Sequence, residues 1–362
     1  MSQHFRRLTV RDVRRETPDA VSIAFAVPDQ ERGAFGFSPG QYLTLRTTLD
    51  GEEVRRSYSI CSGADDGELR IAVKRVDGGL FSCFANEAIG AGDAIEVMPP
   101  MGRFGIEAKP DEVKPDEART FAGFASGSGI TPILSIVRTV LAREPESRFF
   151  LFYGNRATGS ILFREALEDL KDRFLDRLSV FHVLSRESQD IAILNGRLDG
   201  EKAELFLRTI VPARLIDHAF VCGPSDMIDT VTGALTGAGV APERIHTERF
   251  TPAGDGRLRA VRPVAAGTAP ASEATIITDG IATRVPVLAG ETVLDAATRA
   301  GLDLPYSCRG GMCCTCRAKL VEGEAEMEVN YSLEPWEIEA GFVLTCQARP
   351  TSGRVTVDFD QV

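Results

Sequence analysis

Nine residues constrain this chain more than any other feature. Cys308-Arg-Gly-Gly-Met-Cys313-Cys-Thr-Cys316 sets three thiols at C-x4-C-x2-C spacing, and Cys346 follows thirty positions after Cys316. Two sulfide-bridged irons need four thiolates, and this spacing is that of plant-type [2Fe–2S] loops. Structural zinc sites tend to pair two short C-x2-C knuckles, whereas here three cysteines share one loop. The expected ligands are Cys308, Cys313, Cys316 and Cys346. Cys314 fits no such spacing and is expected to stand aside. Gly310 and Gly311 are expected to let the loop wrap closely around the cluster. Cys61, Cys83 and Cys222 are scattered, so the eight cysteines make no disulfide framework. A metal site in a reducing compartment, the cytoplasm, is expected instead.

A length of 362 residues suggests two to three domains. Residues 1–108 read as short strands: Val21, Ile23, Phe25 and Val27 alternate, as do Leu43 and Leu45, then Leu69, Ile71 and Val73. Turn signals separate them, and the expectation is an antiparallel β-barrel. The N-terminal stretch has no apolar h-region and is expected to open the first strand rather than to serve as a leader. Lys109 to Arg119 reads as a linker. Over 115–250, apolar strands (Phe149 to Tyr153, Leu178 to Leu184, Ala219 to Cys222) alternate with helical stretches (Ile133 to Ala142, Ile161 to Arg173, Asp226 to Leu235), which predicts a doubly wound α/β domain. Residues 251–273, rich in Ala, Gly and Pro, read as an interdomain tether. In 274–362 two strands (Thr275 to Thr278, Arg284 to Leu288) and a helix (Thr292 to Ala300) precede the cysteine loop.

The formal charge of −11 argues against nucleic acid as a partner. Residues 271–362 carry 14 acidic and 7 basic side chains, so most of the excess lies in the cysteine-bearing module. That asymmetry fits either steering towards a basic protein surface or plain solubility. No apolar run is long enough to span a membrane.

Two further regions carry binding chemistry. Arg56-Ser57-Tyr58-Ser59 closes a barrel strand: a tyrosine can stack on a flavin ring, a hydroxyl can bond a ring nitrogen, and a guanidinium can pair with phosphate. Gly78-Gly79-Leu80-Phe81-Ser82 reads as a turn opening a helix, whose amides can hold a pyrophosphate, with Gly79 and Ser82 as candidates. Gly123 to Pro132 follows a strand and precedes a helix, which is a phosphate-cradling arrangement, with Gly127, Gly129 and Thr131 as candidates. Taken alone, it can also be a plain tight loop, the lesser of the two readings. Cys222-Gly223-Pro224 ends a later strand, where ligands of open α/β sheets gather, although Cys222 is equally at home as a core residue.

The order of barrel, R-x-Y-S, G-S-G-I-T-P, C-G-P and plant-type cysteine loop resembles the ferredoxin–NADP reductase superfamily, and within it the three-domain oxygenase reductases. Tyr153-Gly154-Asn155-Arg156, Glu248-Arg249-Phe250 and the cysteine loop are most similar to the reductase subunits of phenylacetyl-CoA epoxidases. The resemblance implies a multidomain fold: an antiparallel β-barrel flavin domain, a doubly wound α/β nicotinamide domain and a C-terminal plant-type ferredoxin (β-grasp) domain. It implies FAD against Tyr58, Ser59 and Arg56, nicotinamide near Cys222, Gly223 and Pro224, and Phe250 against the flavin, with Tyr58, Ser59 and Cys222 as the catalytic set. It also implies the adenosine 2′-phosphate of NADPH at Ser185 and Arg186, while Glu187 beside them leaves NADH possible. The expected partner is the oxygenase of a multicomponent complex, a diiron phenylacetyl-CoA epoxidase or alternatively a Rieske-type aromatic or steroid oxygenase. A flavin- and cluster-binding redox sensor without turnover is the reading from another class.

Overall fold

The computed structural model describes residues 4–105, 118–250 and 269–361. The expected linker at Lys109 to Arg119 lies mostly outside these residues, as does most of the expected tether. The first domain contains β1 (Arg6–Thr17), β2 (Ala20–Ala26), β3 (Tyr42–Leu49), β4 (Glu52–Ser59), β5 (Leu69–Lys74), α1 (Leu80–Glu87) and β6 (Ala94–Val97). Its sheet runs β4-β3-β6-β1-β2-β5. An antiparallel bridge between Ile60 and Ile71 and the Cys61 N–H to Arg70 carbonyl bond bring the two edge strands together, closing the barrel. Alternate residues (Leu8 and Val10, Ile23 and Phe25, Leu43 and Leu45, Ile71 and Val73) fill its interior. Closure thereby removes exposed edges and sets Ser59, the last residue of β4, at the rim.

The second domain alternates strand and helix: β7 (Thr120–Ser126), α2 (Ile130–Arg143), β8 (Arg148–Asn155), α3 (Arg164–Arg173), β9 (Leu178–Leu184), α4 (Gly200–Thr209), β10 (His218–Gly223), α5 (Ser225–Gly237) and β11 (Ile245–Arg249). All strands are parallel, in the order β11-β10-β7-β8-β9. The chain reverses direction across the sheet at β7, so a crevice opens beyond the carboxyl ends of β7 and β10. One face is covered by Ile133, Ile136, Val137 and Leu167, the other by Phe206, Ile228 and Val231. Burial on both faces explains strands such as Phe149 to Tyr153 that are apolar without alternation.

Two readings of this domain are corrected. The stretch expected as helix from Ile161 begins as helix only at Arg164. Phe163 sits in the left-handed region at φ 58°, and Ile161 and Leu162 are buried as a loop. Helix α4 was not expected. It buries only Ala203, Phe206 and Leu207, and its start is set by the Asp199 carboxylate, which accepts the Lys202 N–H at 3.0 Å.

The barrel and the α/β domain pack as one compact unit, and the C-terminal domain forms the core of a second. Within the first, the loop after Ile60 is fastened to α2. Ser135 Oγ donates to the Ser62 carbonyl at 2.6 Å, and Arg138 and Arg143 pair with Asp66 and Asp65 at 3.0 and 2.6 Å.

The C-terminal domain comprises β12 (Pro270–Thr278), β13 (Ile281–Leu288), α6 (Val293–Arg299), β14 (Arg317–Glu322), β15 (Ala325–Met327), α7 (Pro335–Glu339), β16 (Phe342–Leu344), β17 (Ala348–Pro350) and β18 (Arg354–Asp358). Its main sheet runs β13-β12-β18-β14-β16, with β12 and β18 parallel. Helix α6 lays Val293, Leu294, Ala296 and Ala297 into its core, giving a β-grasp. Pro270 to Glu273, expected in the tether, belong to β12. Ser272 and Glu273 pair with β13, and Glu273 also pairs with Arg354 of β18. Ladder bonds, not composition, decide that boundary. Among the described residues, no helix is long and apolar enough to cross a membrane.

Candidate functional site

The end of β4 meets the end of β11. Ser59 Oγ donates to Glu248 Oε2 at 3.0 Å, and Glu248 lies in register with Cys222 on the adjacent parallel strand. Cys222 is fully buried, and burial raises its thiol well above the ordinary range. Burial likewise pushes the Glu248 carboxyl up to about 8, against the opposing pull of the Ser59 hydrogen bond. Burial thus favours the protonated, uncharged form of each group. The structure brings two of the three expected catalytic residues, Ser59 and Cys222, to one carboxyl group that sequence reasoning did not single out as a site residue. Only the register of β10 against β11 reveals it.

Tyr58, the third, packs on Phe81 of α1 at 5.4 Å between ring centroids. Arg56 lies two residues before it on β4, and its Nη1 donates to the Arg55 carbonyl at 2.7 Å. Gly79 is the N-cap of α1. A Cβ there would lie 2.5 Å from Ser82 Oγ. The Ser82 hydroxyl accepts the Val76 N–H at 3.1 Å and donates to the Gly79 carbonyl at 3.1 Å, so it holds the turn that carries the helix start. Phe250 follows β11 directly and is 37% exposed.

On the nucleotide side, β7 runs through the Gly127–Gly129 turn into α2. Gly127 has φ 54°, which disfavours any other residue. Gly129 answers a different need: its Cβ would lie 2.0 Å from the Cys222 carbonyl oxygen. It is the close approach of this turn to β10 that excludes a side chain. Thr131 is buried, and its hydroxyl donates to the Ser128 carbonyl at 2.9 Å. Gly223 packs against Met227 and Ser126, and Pro224 caps α5. Ser185 and Arg186 leave β9 exposed, as Arg156 leaves β8, and the Arg186 N–H donates to the Arg156 carbonyl at 2.8 Å. The Glu187 carboxylate is engaged elsewhere, accepting from Thr158 N–H and Oγ1 at 2.7 and 2.6 Å.

In the C-terminal domain the thiols stand in two pairs. A hydrogen bond with the Cys313 thiol, supported by the Gly310 and Met312 N–H groups, draws the Cys308 thiol below its usual range, and the same contact raises Cys313. Cys346 is likewise lowered by Cys316, which is raised in turn. Among the described residues, no three His, Cys, Asp or Glu side chains converge on one ion position. Two pairs of thiols suit two irons. Backbone donors already face sulfur, from Gly310 and Met312 to Cys308 Sγ at 3.3 and 3.5 Å, and Gln347 Nε2 donates to Cys346 Sγ at 3.4 Å. The donor set therefore fits a [2Fe–2S] cluster. Cys314 takes φ 52° and its thiol donates to the Ser332 carbonyl at 3.3 Å. Of the two expected glycines only Gly311 has positive φ, with Arg309 and Cys314 supplying the other left-handed turns.

Comparison with known proteins gives a consistent picture. Models of three families match along the chain: an oxidoreductase FAD-binding domain over 7–106, an oxidoreductase NAD-binding domain over 124–233 and a 2Fe-2S iron-sulfur cluster binding domain over 276–351. A component of the 1,2-phenylacetyl-CoA epoxidase of Escherichia coli (strain K12) is 46% identical over 98% of each chain. The ferredoxin reductase component of the 3-ketosteroid-9-alpha-monooxygenase of Rhodococcus rhodochrous is 34% identical over 97% of this chain and 96% of its own. The solved structure of phthalate dioxygenase reductase covers 98% of both chains with a TM-score of 0.58 at 24% identity, a likeness of fold. The chain thus belongs to the ferredoxin–NADP reductase-type family whose members join FAD-binding, NAD-binding and [2Fe–2S] domains in an NAD(P)H-dependent oxidoreductase.

Proposed function

We propose that this chain is the reductase component of a phenylacetyl-CoA epoxidase in the cytoplasm, drawing electrons from NADPH and delivering them singly to the oxygenase subunits. The observation that carries this reading is the 46% identity, over 98% of each chain, to a component of an epoxidase so named. Bound FAD supplies the chemistry that joins a two-electron hydride donor to a one-electron cluster.

In this reading Tyr58 would lie against the flavin ring, and Ser59 would offer its hydroxyl to a ring heteroatom in place of its present hydrogen bond to Glu248. Arg56 and the amides at the start of α1, shaped by Gly79 and Ser82, hold the flavin phosphates. Phe250 would lie against the flavin ring. The Gly127–Gly129 turn with Thr131 cradles the dinucleotide pyrophosphate, and Cys222, Gly223 and Pro224 line the nicotinamide end. Ser185 and Arg186 bind the 2′-phosphate. Thr158 holds Glu187 in its charged form beside this site, so NADH remains possible alongside NADPH. Cys308 and Cys313 hold one iron, Cys316 and Cys346 the other. Domain limits of 1–108 and 115–250, with a C-terminal domain that begins at Pro270 rather than 274, suit this division of labour.

The test is reconstitution with phenylacetyl-CoA epoxidase oxygenase subunits. NADPH-dependent turnover of phenylacetyl-CoA is expected. Turnover only with a Rieske-type steroid oxygenase would favour the second reading, which the 34% identity to 3-ketosteroid monooxygenase reductases supports. A flavin that NADPH fails to bleach would favour a redox sensor.

A further inference from the structure

Tyr153 is among the largest fully buried side chains of the molecule. It sits inside β8, yet its hydroxyl reaches the turn between β7 and α2 and donates to the Gly127 carbonyl at 2.9 Å. That carbonyl also accepts the Ile130 N–H, while the next one, at Ser128, accepts the Thr131 hydroxyl. Both carbonyls of the turn are therefore drawn into the protein. The chain has no cis peptide bond among its described residues, and in a trans peptide the C=O and the following N–H point in opposite directions. With the Gly127 carbonyl held inward, the Ser128 N–H faces the crevice. Gly127 sits at φ 54° with nothing within 4 Å of where a Cβ would be. Glycine is permissive there, so the orientation of this peptide rests on the hydrogen bonds its carbonyl accepts from Tyr153 and from the Ile130 N–H. Burial raises the ionisation of Tyr153 far above neutrality, so the phenol stays a donor throughout the working pH range.

We infer that Tyr153 is a positioning residue for dinucleotide binding: its hydroxyl locks the Gly127–Ser128 peptide so that the Ser128 amide presents its proton to the pyrophosphate. This rests on the reading of the Gly127–Gly129 turn as the pyrophosphate cradle. Because NADPH and NADH share the pyrophosphate, the effect is blind to the 2′-phosphate.

The test is steady-state reduction of ferricyanide by the holoenzyme with each cofactor, in wild type, Tyr153→Phe and Gly127→Ala. Tyr153→Phe keeps the ring and loses one neutral hydrogen bond. KM for NADPH and for NADH should rise together by about three- to tenfold, with kcat within about twofold and flavin content unchanged. Gly127→Ala disturbs the same peptide through backbone strain alone and should move KM the same way. It carries the test should the phenylalanine variant fail to fold, and an unchanged KM would then overturn the inference. Unchanged KM in Tyr153→Phe with raised KM in Gly127→Ala would overturn the role of Tyr153 and leave the cradle standing. Loss of flavin or of kcat in Tyr153→Phe without a rise in KM would mark a merely structural tyrosine. Unchanged KM in both variants would overturn the cradle as well.

Discussion

In the C-terminal domain, three of the four proposed cluster thiols come from nine consecutive residues, held in shape by local turns at Arg309, Gly311 and Cys314. In the first unit, Ser59 and the carboxyl group it bonds are 189 positions apart. They meet only because a closed barrel presents the end of β4 to the end of β11. The cysteine loop is a local object whose failure removes a cofactor outright. The crevice is a tertiary object in which each residue depends on strand register and close approach, and its failures are graded.

The largest expected effect lies in the loop. Cys313→Ala should abolish iron binding and the visible cluster spectrum, because one iron loses a ligand. Cys314→Ala should keep both, since that thiol bonds the Ser332 carbonyl. Equal loss from both variants, read by iron content, would break the contrast between a ligand and its neighbour. Next comes Gly129→Ala, whose Cβ would meet backbone rather than a yielding side chain. It should cost at least about 3 kcal/mol in chemical denaturation of the first unit, and a loss below about 1 kcal/mol would show that turn and β10 are not so tightly opposed.

That contrast also explains what was legible beforehand. The four cysteines declare themselves by spacing, and Gly127 and Gly129 by their place between strand and helix. The reasons for the two glycines, however, are different, backbone conformation for one and contact with the Cys222 carbonyl for the other, and no sequence window contains both partners. Glu248 looks like any strand-end carboxylate until β11 is set beside β10 and its partial burial beside Ser59 emerges. Helix α4 was missed because three buried side chains in ten residues leave a faint periodic signal. Pro270 to Glu273 were missed because Ala, Ser and Pro speak for a tether while the ladder to β13 and β18 speaks for a strand.

Two smaller effects sharpen the picture of the crevice. Arg186→Ala should reduce the NADPH preference about ten- to hundredfold, the worth of a charge-assisted bond, with NADH use little changed. Equal weakening of both cofactors in kcat/KM would remove Ser185 and Arg186 from the 2′-phosphate site. Glu248 gives a pH signature. Its folded-state value of about 8 stands above the unfolded one, so the folded chain binds the extra proton between them. Stability associated with this group is fully present below the ordinary carboxyl range and is lost as pH rises through about 8. Glu248→Gln should therefore gain on wild type across that window, by up to about 4 kcal/mol in denaturant titrations. A constant difference between pH 5 and pH 8.5 would show that the carboxyl is not held neutral.

The central claim is an ordered path from NADPH through FAD to the [2Fe–2S] cluster, and anaerobic mixing of the intact protein with NADPH tests it most directly. Flavin absorbance followed by stopped flow, with the cluster followed by electron paramagnetic resonance in freeze-quenched samples, reads both centres. The flavin should bleach first and the reduced-cluster signal should rise from it, while in Cys313→Ala the flavin should still bleach and no cluster signal should form. A cluster that stays oxidised in wild type after the flavin is fully reduced, or a cluster that is reduced before the flavin, would contradict the account.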